Sequence, residues 1–454
     1  MILLAIRSPS IPDSIVVHLG TPSSAARNIT VPFTEYIKNV ASSELYANWP
    51  DEALKANILA IISFALNRIY NEWYRSQGYN FDITSSSSYD QAFRENGTFF
   101  EKISVIVDNI FNSYIVRNGQ VQPLFATYCD GKKTTCSGLS QWGSVDLAKA
   151  GKSAENILKS YYGNDIRIIN NAPIGGDIIT FPGTNLSIGS AGDPIRLLKK
   201  QLNRIGSNYP AIPIILDDSI FFTKDMDEAV RKFQNIFDLK ESGVVDQATW
   251  YKIKYIYNAV KNVSDLYSEG IKEEDVEVLY QGKVKLGDNA SYIGNLNYYL
   301  NTISYFDSDI PYLHLEGYTY TKNTEEVVKA FQQKYGIPVT GIVDDKTWFS
   351  IVDVYNQTIN MIPDNCVSYI EEFFPKRFLL LGEEGEDVVR LQNFLYKICI
   401  RTKEIPGVVV SGKFDELTEE SVKYIQRKYN IEVNGIVSPD TWDYIVKLSK
   451  GVIT

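Results

Sequence analysis

Histidine is almost absent from this chain of 454 residues: there are two, His18 and His314, far apart in sequence. A Ser-His-Asp or Cys-His mechanism would have to use one of them, and neither sits in a nucleophile motif. That scarcity turns any catalysis toward carboxylates. Cysteine is also sparse. Four residues, Cys129, Cys136, Cys366 and Cys399, do not make a disulfide scaffold. A zinc site at Cys129 would lack local histidines, and no metal or other cofactor is expected. Positive charge is in deficit, with Lys+Arg 45 against Asp+Glu 55 and a net charge of −10, which argues against nucleic acid or an anionic membrane surface as partner. Long apolar runs are missing too. The longest stretch, Ile58 to Leu66, is nine residues, too short to span a bilayer. The opening MILLAIRSPS has six apolar residues and no basic region before them. It makes a poor signal peptide and predicts a first strand instead, so an extracellular role needs another exit route. Aromatics, in contrast, reach 13%, with 30 Tyr and 21 Phe, which excludes disorder.

The length predicts two to four domains, each with its own core. Asn170 to Gly176 and Phe181 to Thr184 are rich in Pro and Gly and read as a linker at 170–185. Before it, Ser14 to Leu19 is strand-like. A long helix begins after Pro50 with Asp51 and Glu52 in its first turn, and it is expected to run to about Ser76. Ser85 to Ser88 reads as a polar loop. A second helix is expected from about Thr98 to Val116.

After the linker the sequence repeats three times. Each copy opens on an aliphatic-Gly pair, Ile188-Gly189, Leu286-Gly287 and Leu381-Gly382. Apolar residues follow at the same offsets: Ile195, Leu198, Leu202; Ile293, Leu296, Leu300; Val388, Leu391, Leu395. Then come Phe233-Gln234, Phe331-Gln332 and Ile425-Gln426. Nine residues after each Gln stands Gly243, Gly341 or Gly435, and seven further Trp250, Trp348 or Trp442, each preceded by Thr. Spacings of three and four predict three helices per copy. The Gly makes a turn, Asp246, Asp344 or Ser438 caps the last helix, and the Trp packs in the core.

These repeats resemble the peptidoglycan-binding type 1 domain, a three-helix module of cell-wall hydrolases. The Gly-x-x-Gly opening (Gly189/Gly192, Gly382/Gly385), the Phe-Gln helix and the Gly-[Ile/Val]-Val-Asp-x-x-Thr-Trp segment carry the likeness. The second copy has Ala290 in place of the second Gly and a longer insertion holding His314. The resemblance implies binding to murein.

The first region resembles the domain of stage II sporulation protein D, a peptidoglycan lytic transglycosylase, on Val40 to Ala56 and on Ser137 to Gly143 with Ala148 to Ser153. From Tyr36 through Tyr162 it is similar to the catalytic part of the clostridial spore cortex-lytic enzymes, sharing YIKNVASSE, ISFALNRIY, EWYRS, GYNFDIT and GLSQWG. The family's catalytic acid is the Glu of the Ala-Ser-Ser-Glu segment, which implies Glu44. An acid must protonate the leaving oxygen of a glycosidic bond, and an apolar surround would keep such a Glu protonated near neutral pH. The bland reading of Glu44 is a surface carboxylate beside a helix; Asp51 and Glu52 keep such a reading, as first-turn residues. Ser43, Tyr46, Trp49, Tyr128, Ser140, Gln141 and Trp142 are candidates for lining the cleft, Gln141 by hydrogen bonds to acetamido groups and Trp142 by stacking on a sugar. Their competing reading is a core Trp and a capping Ser. Many relatives carry Gly-His before SQWG and an Arg in the helix; here stand Ser137-Gly138 and Ile62. Some relatives hold zinc, whereas Cys129 and Cys136 read as a disulfide or a pair of thiols.

The expected architecture is therefore an α+β catalytic domain at 1–169, the linker, and three all-α three-helix modules at 186–262, 278–360 and 376–450. The expected function is cleavage of the glycan strand of peptidoglycan, with spore cortex as the favoured substrate, in the wall or cortex outside the cytoplasm. The alternatives are a wall-binding scaffold or amidase enhancer, and a phage endolysin with the same chemistry.

Overall fold

The computed structural model describes residues 5–6, 9–175, 180–216, 220–272, 275, 277–278, 282–313, 319–361, 374–375, 378–431 and 433–451. His314, Cys366 and most of the MILLAIRSPS stretch lie outside them. Of that stretch, Ala5–Ile6 (β1) forms a short strand, antiparallel to Glu277–Val278.

The N-terminal domain is built around one helix. Asp51–Tyr70 (α2) is buried on almost every side, which explains why its sequence is apolar all round rather than amphipathic. By length and composition it is long enough to cross a membrane, but 89% of its apolar window is enclosed by the rest of the fold. Ser14–His18 (β2) pairs antiparallel with Asn28–Pro32 (β3) and parallel with Ile83–Thr84 (β4). Its alternation sends Ile15 and Val17 inward, onto the core shared with α2 and with Phe33–Glu44 (α1). Tyr114–Arg117 (β5) pairs antiparallel with Ile166–Ile169 (β8) on another side of α2. Between these two strands lie Tyr128–Cys129 (β6), Leu139–Ser140 (β7), Gln141–Lys149 (α4) and Ala154–Tyr162 (α5).

Two expected helices end early, each for a local reason. α2 stops at Tyr70 because Glu72 takes a left-handed φ of 47° and the Trp73 N–H turns back to the Arg68 carbonyl at 3.0 Å, a Schellman closure. Only a short 3-10 turn, Arg75–Gln77, follows. The helix expected to reach Val116 covers Glu101–Ile110 (α3) alone. Beyond it Ile115 and Val116, β-branched and fully buried, serve as strand residues of β5.

Each repeat forms three helices: Asp193–Gly206 (α6), Lys224–Ile236 (α7) and Gln247–Val260 (α8); Ser291–Phe306 (α9), Lys322–Lys334 (α10) and Asp345–Met361 (α11); Glu386–Thr402 (α12), Glu416–Lys428 (α13) and Pro439–Lys450 (α14). The repeated Gln explains the repeated Gly. Gln332 accepts the N–H groups of Thr340 and Gly341 at 2.9 Å each, and donates to the Ile342 carbonyl at 2.9 Å and the Thr347 hydroxyl at 3.1 Å. Gln234 and Gln426 make the equivalent set. The turn each one holds has its Gly at positive φ, +67° at Gly341, where an added Cβ would lie 2.6 Å from Lys329. The three Trp are core residues, 1–3% exposed. A reciprocal backbone pair then closes each module, Leu186 with Val245, Val284 with Val343 and Leu379 with Val437.

The units are packed on one another. Asn356, eight residues after Trp348, grips the backbone of Ala191 in the first module through both its N–H and its carbonyl. Asn258, at the same position of the first module, donates to the Asn71 carbonyl of the N-terminal domain at 2.8 Å. The segment after α8 lies back across that domain. Its Val263 carbonyl accepts from Asn67 and Gln122, and its Leu266 carbonyl accepts from Arg117. The stretch read as a linker is partly tied down as well: Ala172 is buried, Ile174 bridges to Ile11, and Phe181 meets Trp250 edge-on.

Candidate active site

The last turn of α1 carries Glu44, and the same helix holds the segment that covers it. Tyr36 donates to Gln91 Oε1 at 2.9 Å, Asn39 exchanges hydrogen bonds with the Arg94 backbone, Ser42 accepts the Phe100 N–H, and Glu44 Oε1 accepts the Ala92 N–H at 2.8 Å. Steps of three along a helix put Tyr36, Asn39 and Ser42 along one side, so residues 91–100 are laced to α1. The base of this segment is fixed by Asp90. One carboxylate oxygen pairs with Arg68 at 2.9 Å; the other accepts from Tyr74, the Thr84 hydroxyl and the Thr84 N–H. Arg68 in turn sits over the rings of Phe125 and Trp73, a buried and fully engaged pair.

Opposite α1, β7 runs into α4. Ser140 caps that helix by accepting the Gly143 N–H at 3.0 Å, and the next residue, Gln141, points Nε2 at Glu44 Oε2 at 3.5 Å. Tyr128, paired to the same ribbon in β6, brings its phenol within reach of the Glu44 carboxyl. Among the described residues, the groups found against Glu44 are thus an N–H, a phenol and an amide rather than a second carboxylate. Burial raises the Glu44 pKa to about 7, and the hydrogen bonds from Ala92 and Tyr128 hold it back from rising further. A carboxyl poised there can both give and take a proton near neutrality.

Beside the carboxyl three rings form a wall. Trp49 and Trp142 meet edge to face at 4.9 Å, and Tyr46 lies 5.5 and 5.7 Å from them. Tyr46 is 58% exposed while Trp49 is buried, so the wall has an open face. The Lys132 ammonium lies 3.4 Å from the Trp142 ring centroid. Lys132 belongs to a loop closed by a Cys129–Cys136 disulfide. With both thiols in that bond, this pair does not fit a zinc site.

Of the residues singled out in the sequence, Glu44, Tyr128 and Gln141 come together and Tyr46, Trp49 and Trp142 form the wall. Ser140 is a helix cap, and Ser43 is half-buried in the turn before Glu44. Asp51 pairs with Lys102, and Glu52 accepts the Ala154 N–H at the start of α5, which are structural roles. His18 is a satisfied core residue, bonded to Asn28 and Ser24 and stacked on Phe81. Sequence reasoning missed Gln91, Ala92 and the Arg68–Asp90 anchor. The segment around them looks like a polar loop, and the one available signal was an acid and an amide, Asp90-Gln91, at the end of a serine run.

The stage II sporulation protein family matches residues 23–110, a span that takes in Glu44, Gln91 and Ala92 and ends before Tyr128 and Gln141. A peptidoglycan binding domain family matches three times, at 191–253, 290–350 and 384–445. No curated protein matches the chain. The order is a stage II sporulation protein domain followed by three peptidoglycan-binding domains, the make-up of a cell-wall protein of sporulation.

Proposed function

We propose that the chain is a peptidoglycan lytic transglycosylase that cuts the bond between N-acetylmuramic acid and N-acetylglucosamine, with spore cortex as its substrate, and that its three C-terminal modules hold it on the polymer. One observation carries this reading: a single carboxyl with its pKa raised to about 7 stands beside an aromatic wall and an amide, without a carboxylate partner among the described residues. In this reaction Glu44 gives its proton to the glycosidic oxygen as the muramic C1–O bond breaks. The resulting carboxylate then takes the proton of the C6 hydroxyl of the same sugar. O6 bonds to C1, leaving a 1,6-anhydro end and a free glucosamine O4–H. No water is consumed, and Glu44 ends protonated as it began. A second carboxylate to activate water or attack C1 is not needed, because the nucleophile belongs to the substrate. Gln141 would engage an acetamido group, and Tyr46 with Trp142 would stack on a sugar face.

The test is mass spectrometry of fragments released from spore cortex and from vegetative peptidoglycan by the full chain and by Glu44→Gln. The expected result is fragments one water lighter than hydrolysis products, absent with the variant. Reducing-end fragments would make it a hydrolase. No fragments from either substrate, with both proteins retained on the sacculi, would overturn the enzyme reading in favour of a scaffold.

A further inference from the structure

Gln91 is fully buried and touches three groups, none of which can be exchanged for another. Its Nε2 donates to the Ile61 carbonyl at 3.1 Å and to the Tyr128 hydroxyl oxygen at 3.1 Å, while its Oε1 accepts from Tyr36. Turning the amide over would set oxygen against the Ile61 carbonyl, which is an obligate acceptor. The backbone of α2 therefore fixes the direction of every bond in the chain. Since the Gln91 N–H occupies the Tyr128 oxygen, the Tyr128 proton is left to point at Glu44, and Tyr128 stays a donor whether Glu44 is ionised or protonated. The Ala92 N–H is likewise a donor in both states. A protonated Glu44 can then aim its O–H at neither group.

We propose that Gln91 is a positioning residue of this site: by keeping Tyr128 a donor, it denies the Glu44 proton an acceptor inside the protein and keeps it available to the substrate. The proposal rests on the reading of Glu44 as the acid and adds how its proton is aimed. The titratable and charged groups around the carboxyl are Tyr36 on its own helix, Tyr128 on β6 and, acting through Tyr36, Asp90. Asp90 is paired with Arg68 at 2.9 Å.

Without Gln91, a protonated Glu44 gains Tyr128 as an acceptor. This steadies the protonated form in an unproductive orientation and moves the titration upward. The test uses the full chain with 13C-carboxyl glutamate, the Glu44 signal being the one lost in Glu44→Gln. In Gln91→Met the Glu44 titration is expected about one unit higher, with kcat on cortex down about tenfold and KM unchanged. Tyr128→Phe removes the donor and also raises the titration. On that background Gln91→Met should add nothing. A folded Gln91→Met with wild-type titration and kcat would overturn the proposal, as would an equal loss on the Tyr128→Phe background. If Gln91→Met does not fold, Tyr128→Phe decides: an unmoved Glu44 titration overturns the relay and a raised one supports it. The titration is read without turnover, so failure of the transglycosylase reading leaves this result separately legible.

Discussion

Glu44 in the N-terminal domain and Gln332 in the second module have side chains of the same length and both receive backbone N–H groups, but Gln332 is fully buried and Glu44 half-buried. Their surroundings differ in balance. Gln332 makes five polar contacts at 2.9–3.3 Å with four residues, two groups donating and three accepting, and nothing in the set can ionise. Glu44 has one short bond from Ala92, a contact with Tyr128 and a long approach from Gln141, and its carboxyl is left short of solvation. The arrangement around Gln332 recurs with equivalent partners at Gln234, Gln426 and Gln392, and closes a turn each time. That around Glu44 occurs once and carries an unpaid desolvation. Satisfied polar burial builds architecture; polar burial left out of balance stores a reactive proton.

The widest separation of the two cases is expected at Glu44 itself. Glu44→Gln should lower cleavage by roughly 10²–10⁴-fold while leaving the fold intact. It should also remove a pH dependence. A carboxyl whose folded pKa is about 7 against an ordinary 4.5 stabilises the native state below pH 4.5, and that contribution is lost as pH rises through 7. Denaturant melts of wild type and Glu44→Gln should therefore diverge between those values, the variant gaining about 3 kcal/mol relative to wild type. Parallel curves would mean that Glu44 is not desolvated in solution.

The next contrast lies where the two regions meet. Lys254 of α8 and Glu72 after α2 form a buried pair at 3.7 Å, with burial pushing the lysine pKa down. Lys254→Met leaves Glu72 without its cation and should cost about 3–5 kcal/mol, whereas adding Glu72→Met should restore most of it. Calorimetry of the full chain checks both. Within the repeats, Gln332→Leu strips partners from two N–H groups and a carbonyl at one turn, at a cost of about 2–4 kcal/mol. The core of the second module is continuous with that of the third, so the two should melt together while cleavage of soluble fragments survives.

The repeats were legible to the residue because their spacing is enforced by packing. Gln, Gly, Thr and Trp stand at fixed offsets since one side chain must reach one turn. Glu44, Gln141 and the aromatic residues were singled out through family resemblance and the chemistry of their types, and the structure places them side by side. What stayed hidden depends on long-range pairing. Ile115 and Val116 follow a helix pattern smoothly, and only the partner strand at Ile166–Ile169 makes them β. Gln91 and Ala92 gain their meaning from α1, some fifty residues earlier, and from the Arg68–Asp90 anchor. The segment at 263–271 belongs by sequence to the space between modules, yet its carbonyls serve Asn67, Gln122 and Arg117 of the first domain.

The smallest expected effect tests whether the aromatic wall depends on its edge. The Cys129–Cys136 bond closes a loop in which Asp130 accepts the Lys132 and Lys133 N–H groups, the Trp142 N–H reaches the Asp130 carbonyl, and Lys132 lies on the Trp142 ring. Cys129→Ser with Cys136→Ser frees a short loop, for which chain entropy predicts a loss of up to about 2.5 kcal/mol. Glu44 is held from α1, the Ala92 N–H and Tyr128, and the Tyr128 hydroxyl is itself held by Gln91 rather than by this loop, so the Glu44 titration should not move. The wall, by contrast, loses the tether that keeps Lys132 over Trp142. The double variant should therefore bind glycan more weakly, raising KM by a few-fold, with kcat and its pH profile near wild type. A drop in kcat with a displaced profile would show instead that the loop supports the carboxyl, and the division between a proton site fixed by α1 and a sugar wall fixed by the disulfide loop would have to be redrawn.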